Sequence, residues 1–249
     1  MIEKLLFGKI IHLSDTKGVD TYPKDISPMF RWMQTLPLPT CPTILDVGAN
    51  VGLFSLAYAS IFKGAKIHCF EPVPFIYNFL KQNLESNPNL SGSIHPHSFG
   101  MSNCEERKQL SIPAAQQHDR YSDQSDIRLY SVLGQGEEKF DAQFITLDQW
   151  ANDYQIRSLD FIKIDVEGYE YSVLQGAMDT LRSFRPILMF ELNHLTLTLS
   201  KRTADEYLQL AKDLDYNVFG LEYGFKSELL KINSVTQVDL VSDLILFPS

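Results

Sequence analysis

The sequence predicts an α/β protein built on a doubly wound, mostly parallel sheet of seven strands, with an antiparallel hairpin at one edge. Three observations carry this expectation. Short apolar runs alternate with helical patterns along most of the chain. A glycine-bearing turn between Asp46 and Gly52 joins the first core strand to its helix. The 249 residues, 44% hydrophobic and 21% charged, suffice for one large domain with a sizeable core.

The first core strand is expected at 43–47, followed by the turn and a helix to about residue 62. Residues 65–70 form the next strand, ending at Glu71-Pro72, with a helix over 74–84 and a third strand over 93–99. Residues 108–112 and 141–147 are expected to pair antiparallel around a polar stretch, 113–139, read as a long functional loop. At Thr146-Leu147-Asp148 a helix begins, with Asp148 as its N-cap, and runs through Tyr154. The alternation resumes with a strand at 159–164, one helix over 168–181 and a strand at 186–191. A helix over 203–214 precedes the last strands, 217–221 and 240–247, expected as an antiparallel edge pair. Residues 1–42 precede the core and are read as a cap segment of the same single domain, 1–249, on the active-site side of the sheet.

Charge and cysteine usage narrow the partners. A formal net charge of −9 weighs against a nucleic-acid partner, because such a surface cannot displace phosphate counterions. Cys41, Cys69 and Cys104 form no C-x-x-C pair and no even-numbered framework, which points to a reducing cytoplasm. The N-terminus has no continuous apolar core and no small-residue cleavage site, so no signal peptide is expected. No window is long and uncharged enough for a membrane span, so no membrane partner is expected. A homo-oligomer stays open.

The densest chemistry begins at Asp46-Val47-Gly48-Ala49-Asn50-Val51-Gly52. Gly48 and Gly52 lack a β-carbon where a strand turns into a helix, which would let a ligand approach the backbone of Gly48, Ala49 and Asn50. Such a turn sits at the carboxyl edge, where open α/β sheets bind ligands. Glu71, closing the next strand before Pro72, can accept hydrogen bonds from both hydroxyls of a ribose. The spacing is not the dinucleotide G-x-G-x-x-G, and the Gly-Lys-Ser/Thr of a phosphate loop is absent. Asp46 places negative charge where a pyrophosphate would lie, and suits a ligand carrying an ammonium and a sulfonium. The expected cofactor is therefore S-adenosyl-L-methionine, held by Asp46, Gly48, Ala49, Asn50, Gly52, Glu71 and Pro72. The plainer reading is a tight strand-to-helix turn with no ligand.

A second motif, Phe161-Ile162-Lys163-Ile164-Asp165-Val166-Glu167-Gly168-Tyr169-Glu170, crowds three acids at the same edge. With Ile44 to Gly52, Phe70-Glu71-Pro72, Thr146-Leu147-Asp148, Leu174-Gln175-Gly176-Ala177 and Phe190-Glu191-Leu192, it resembles the FkbM family of methyltransferases. The resemblance runs from about residue 43 to residue 192 and rests on several ordered motifs. It implies a class I, Rossmann-like fold, adenosylmethionine as cofactor, and O-methylation of a sugar or small secondary-metabolite acceptor. No family pattern covers residues 1–42 or 113–139, where acceptor choice is expected to reside.

Deprotonating an alcohol calls for a base within hydrogen-bond reach. Asp165, Glu167 and His194 are the candidates, with Glu191 behind them. Asp165 serves equally well as the partner of the cofactor's amino group. His194 has a suitable intrinsic pKa, although a lone histidine is more often structural. Glu170 reads as a helix-dipole acid in a first turn. Asp165, Glu191 and Asn193 offer oxygens that Mg²⁺ would accept, but the resemblance asks for no metal and none is expected. Tyr22, Phe30, Trp32 and Tyr121 flank the core and read as packing rather than as stacking platforms. Rival readings are a cofactor-binding protein without catalysis, a methyltransferase acting on nitrogen or carboxylate, and a nicotinamide oxidoreductase. The last is disfavoured by the glycine spacing and by the lack of a Tyr-x-x-x-Lys pair.

Overall fold

The computed structural model describes residues 1–14, 23–111, 132–133, 139–192, 197–198, 200–221, 229–232 and 243–249. Two strands, β1 (Ile2–Leu6) and β2 (Lys9–Leu13), open the chain as a hairpin. Phe7 and Gly8 between them have φ of 48° and 78°, the twin positive values of a two-residue turn that matches strand twist. A short helix α1 (Ser27–Phe30) and a 3-10 turn (Arg31–Thr35) lead to β3 (Thr43–Val47).

Then follow α2 (Leu53–Ile61), β4 (Lys66–Phe70), α3 (Pro74–Glu85), α4 (Pro88–Ser91) and β5 (Ile94–His97). Three strands, β6 (Gly100–Met101), β7 (Glu106–Ser111) and β8 (Lys139–Ile145), make a separate small sheet in the order β6-β8-β7. The expected antiparallel pairing is that of β7 with β8. The chain continues with α5 (Leu147–Asp153), β9 (Phe161–Ile164), α6 (Glu170–Gln175), α7 (Met178–Phe184) and β10 (Ile187–Glu191). It ends with α8 (Ala204–Asp213), β11 (Tyr216–Leu221), β12 (Leu229–Lys231) and β13 (Asp243–Pro248).

The main sheet runs β12-β11-β13-β10-β9-β3-β4-β5. It is parallel from β5 to β10 and antiparallel from β10 outward. It holds eight strands where seven were expected. The additional strand, β12, is three exposed residues long, and Leu-Leu-Lys is too short to show a period. All of β3 and β9 is buried, as suits central strands covered on both faces. Successive residues feed opposite layers. Ile44, Ile67, Phe161 and Met189 pack with α2, α3 and the N-terminal segment, while Leu45, Phe70, Ile162 and Phe190 pack with α5, α6, α7 and α8.

The N-terminal hairpin is stitched to α3 and the residues after it. Asn83 Oδ1 accepts from the Ser14 amide at 2.6 Å, and the Asn87 side chain bonds the backbone of His12 through both its amide atoms, at 2.9 and 2.6 Å.

Two local expectations differ. The single helix over 168–181 is two helices, α6 and α7, broken at Gly176-Ala177. A β-carbon on Gly176 would lie 2.0 Å from the Ser102 carbonyl oxygen, so the helix ends where another backbone crosses it. The N-cap of α5 is Thr146, whose side chain accepts from the Gln149 amide at 2.9 Å. Asp148 instead caps α7, accepting from Asp179 and Thr180 amides at 3.2 and 2.8 Å. Among the described residues, no helix is long and apolar enough to cross a membrane.

Candidate active site

The chain moves outward through β3, β4 and β5, then returns to place β9 against β3. Strand order therefore reverses between β3 and β9, and their carboxyl ends splay to leave a crevice. A cavity opens there, with about 680 Å³ of unfilled space continuous with solvent at its mouth. Gly48, Asn50, Glu71 and Pro72 line one part, and Asp165, Glu167 and Tyr169 another. Met101, Leu110 and Phe144, carried by the small sheet, supply an apolar wall.

At the β4 end, the Glu71 carboxylate accepts from the Asn50 amide at 3.0 Å and from the Val73 amide at 2.8 Å. Burial pushes this carboxyl up to about 7, against the pull of those two N–H groups. Beside it, Asn50 is held in the left-handed region at φ 51°, and its buried Oδ1 has no hydrogen-bond partner among the described residues. A buried acceptor left unpaired costs free energy until a donor arrives.

At the β9 end, the backbone turns through two positive φ values, Glu167 at 55° and Gly168 at 95°. Wholly buried Glu170 braces this turn, its Oε1 accepting from the amides of Val166 and Gly168, both at 3.1 Å. Burial raises this carboxyl as well, to about 7. Its role is thus a clamp on the loop that bears Asp165 and Glu167.

Gly48 lines the crevice and also meets a second requirement. Its φ is +82°, and a β-carbon there would lie 1.8 Å from the Asp165 carbonyl oxygen. The missing side chain lets the β9 loop close onto the β3 turn. A β-carbon on Gly52 would meet only Leu80 Cγ at 3.4 Å, so that glycine is required by its φ of +83° at the start of α2. Ala49 is buried in the same turn.

The Methyltransferase FkbM domain matches residues 46–218, which include every residue that lines this crevice. The chain belongs to the FkbM methyltransferase family. Methyltransferase sdnD of Sordaria araneosa is 32% identical over 160 residues, covering 56% of this chain and 61% of that protein. The 2-O-methyltransferase NoeI of Sinorhizobium fredii is 24% identical over 154 residues, 58% of this chain and 60% of that protein. The chain thus matches about three fifths of the length of these curated relatives. The crystal structure of Methyltransferase FkbM from Methylobacillus flagellatus superposes with a TM-score of 0.53 at 18% identity, over 88% of this chain and 50% of that one, and shares its fold.

In this FkbM domain the expected site residues divide. Gly48, Asn50, Glu71, Pro72, Asp165 and Glu167 all line the crevice. Asp46 does not. It is fully buried beneath the turn, with Oδ2 accepting from Ser55 Oγ at 2.6 Å and Oδ1 lying 3.7 Å from Lys163 Nζ. The side chain alternates to the opposite face from Val47, which explains its inward direction. Burial pushes the Asp46 carboxyl up, opposed by Lys163. His194 and Asn193 lie outside the described residues, as do Tyr22, Tyr121 and nearly all of 113–139. Phe30 and Trp32 are core residues, packed on Phe54 and Phe161.

Carboxylate oxygens of Asp165, Glu167 and Glu191 come within 4.8 Å of one another, a donor set that a hard divalent ion could use. Two further residues escaped the sequence reading. Lys163 is buried under the site, and the only hint was a lysine inside an otherwise apolar strand. Tyr169 closes the crevice; its hydroxyl lies 3.2 Å from Ser102 Oγ, which donates to Glu106 Oε1 at 2.9 Å.

Proposed function

We propose that this domain binds S-adenosyl-L-methionine and transfers its methyl group to a hydroxyl oxygen of a sugar or small secondary-metabolite acceptor. The observation that carries the reading is the pairing, in one crevice, of Glu71 and the orphaned Asn50 Oδ1 at one end with Asp165 and Glu167 at the other. Glu71 suits ribose hydroxyls, Asn50 offers a ready acceptor, and Asp165 faces a ligand ammonium. The carboxylates make the crevice acidic, which favours a ligand bearing positive charge and disfavours a pyrophosphate. When bound, adenosylmethionine supplies an electrophilic methyl on sulfur. Glu167, beside Asp165 on the crevice wall, takes the proton that the acceptor hydroxyl loses. The apolar side chains of Met101, Leu110 and Phe144 would limit water on their side of that transfer. An oxygen acceptor is in keeping with the 2-O-methyltransferase among the relatives. Three unpaired cysteines suit the cytoplasm.

The test is a thermal-shift comparison followed by an acceptor screen. Adenosylhomocysteine should raise Tm while NAD leaves it unchanged, and labelled methyl donor should mark a hydroxylated metabolite or glycan. Stabilisation by NAD alone would remove the cofactor assignment; label on amines only would remove the oxygen acceptor.

A further inference from the structure

Lys163 is the one charged residue of β9, and every residue of that strand is buried. Its strand partners are Asp46 on one side and Met189 on the other. The ammonium lies 3.0 Å from Asp165 Oδ2, 3.7 Å from Asp46 Oδ1 and 4.4 Å from the centre of the Phe54 ring. Burial works against this charge, but Asp165 and Asp46 outweigh it and hold the lysine pKa above its usual value.

A buried ion pair is a weak source of stability, because desolvation consumes much of the attraction. An apolar residue at position 163 would complete the strand. What the lysine adds is direction. Asp165 is the half-exposed member of the pair, 37% accessible against 5% for Lys163, and it lines the crevice. With Oδ2 fixed by the lysine, the carboxylate is held in one orientation beside Glu167 and Glu191, and Oδ1 is the oxygen offered to a ligand donor. The Lys163 side chain is itself fixed from behind by Asp46, which Ser55 holds at 2.6 Å. The chain Ser55–Asp46–Lys163–Asp165 therefore runs along the α2 face of the sheet to the crevice.

We propose that Lys163 is a positioning residue for the amino-acid end of the cofactor, orienting Asp165 so that it receives the ligand's α-ammonium. This rests on the adenosylmethionine reading above. It also gives Asp46 a function without contact: the acid holds the lysine and the lysine holds the ligand-binding acid.

The experiment compares two nucleosides by calorimetry. Adenosylhomocysteine carries the amino-acid end; 5′-methylthioadenosine lacks it and keeps the ribose and base. Lys163→Met should weaken adenosylhomocysteine roughly 10-fold to 100-fold, the scale of one charge-assisted hydrogen bond, while methylthioadenosine changes less than about twofold. Lys163→Arg should recover most of the loss. In an Asp165→Asn background, Lys163→Met should add little. Equal weakening of both ligands would make the lysine a merely structural residue and overturn the proposal, as would an unchanged affinity for adenosylhomocysteine. Should Lys163→Met fail to fold, Lys163→Gln, which keeps a donor to Asp165 without the charge, carries the same comparison. Failure of the underlying reading looks different: the unaltered protein would bind neither nucleoside, and both claims would fall together.

Discussion

Gly48 and Gly52 offer an unusually clean pair of perturbations, because both occupy nearly the same backbone conformation, φ +82° and +83°. Replacing either by alanine puts a β-carbon into the left-handed region, at about 1–2 kcal/mol. At Gly52 that is nearly the whole effect, since the new carbon meets only the side-chain Leu80 Cγ at 3.4 Å. At Gly48 the new carbon would stand 1.8 Å from the Asp165 carbonyl oxygen and 2.8 Å from its carbon. Backbone cannot rotate away as a side chain can. The β9 loop is pinned by the Asp165 amide donating to Val47 O at 2.9 Å and by Glu170 beneath it. Displacing it by more than an ångström adds an overpacking cost of about 1–3 kcal/mol. Gly48→Ala should therefore lose about 2–5 kcal/mol in total, and Tm should fall by roughly 5–15 °C for a chain of this size. Gly52→Ala should fall by only a few degrees. Urea unfolding followed by circular dichroism measures both. If the two variants are destabilised equally, the close approach of the β3 turn to the β9 loop is not what requires glycine at position 48.

Other perturbations test other contacts. Glu71→Ala should weaken adenosylhomocysteine binding by about 1–3 kcal/mol in calorimetry, and an unchanged affinity would contradict the ribose role. Asp148→Ala should cost about 1 kcal/mol in urea unfolding through loss of the α7 cap; a null effect would show that the reach from α5 to α7 is incidental. Burial pushes the histidine side chains on β4 and β5 down, His68 to about 3 and His97 to about 4, from an ordinary 6.5. A base so depressed is neutral in the fold, so its contribution is full above about pH 6.5 and is lost as pH falls toward 4. A His68→Leu/His97→Leu variant should thus gain on the unaltered protein between pH 6.5 and 5, by up to roughly 2 kcal/mol per histidine. A difference that does not vary with pH would refute the burial account. Glu71 and Glu170, titrating near 7, act in the opposite sense and should keep the unaltered protein's own profile shallow.

What the sequence disclosed, and what it withheld, follows from the range of the signals. Central strands such as 43–47 and 161–164 are mostly apolar runs, interrupted by Asp46 and Lys163 and ending at acidic or glycine turns, so their type and order are written locally. Glu71 and Asp165 were legible because each closes a strand at the edge where such sheets bind ligands, and Glu167 because it lies in the turn just beyond. The direction of Asp46 was not, since one position along a strand decides between crevice and core. The contact of Gly48 with the β9 loop was hidden for a related reason: its neighbour, Asp165, is distant in sequence and close only after β9 returns beside β3. The break at Gly176 likewise depends on Ser102 crossing from another sheet, and no local propensity reports that. Met101, Leu110 and Phe144 look like ordinary strand residues, and nothing local says that they face a cavity.

The wall bearing those three residues shares no strand with the eight-stranded sheet. Its two longest strands, β7 and β8, are also the stems of the polar insertion between them. Edits to that insertion would reach the crevice through Leu110 and Phe144, while the ladder from β3 to β4 and β9 stays intact. Under the proposed function, such a division would let selectivity drift across generations without endangering the nucleoside grip, much as a lock can be recut while its bolt is left alone.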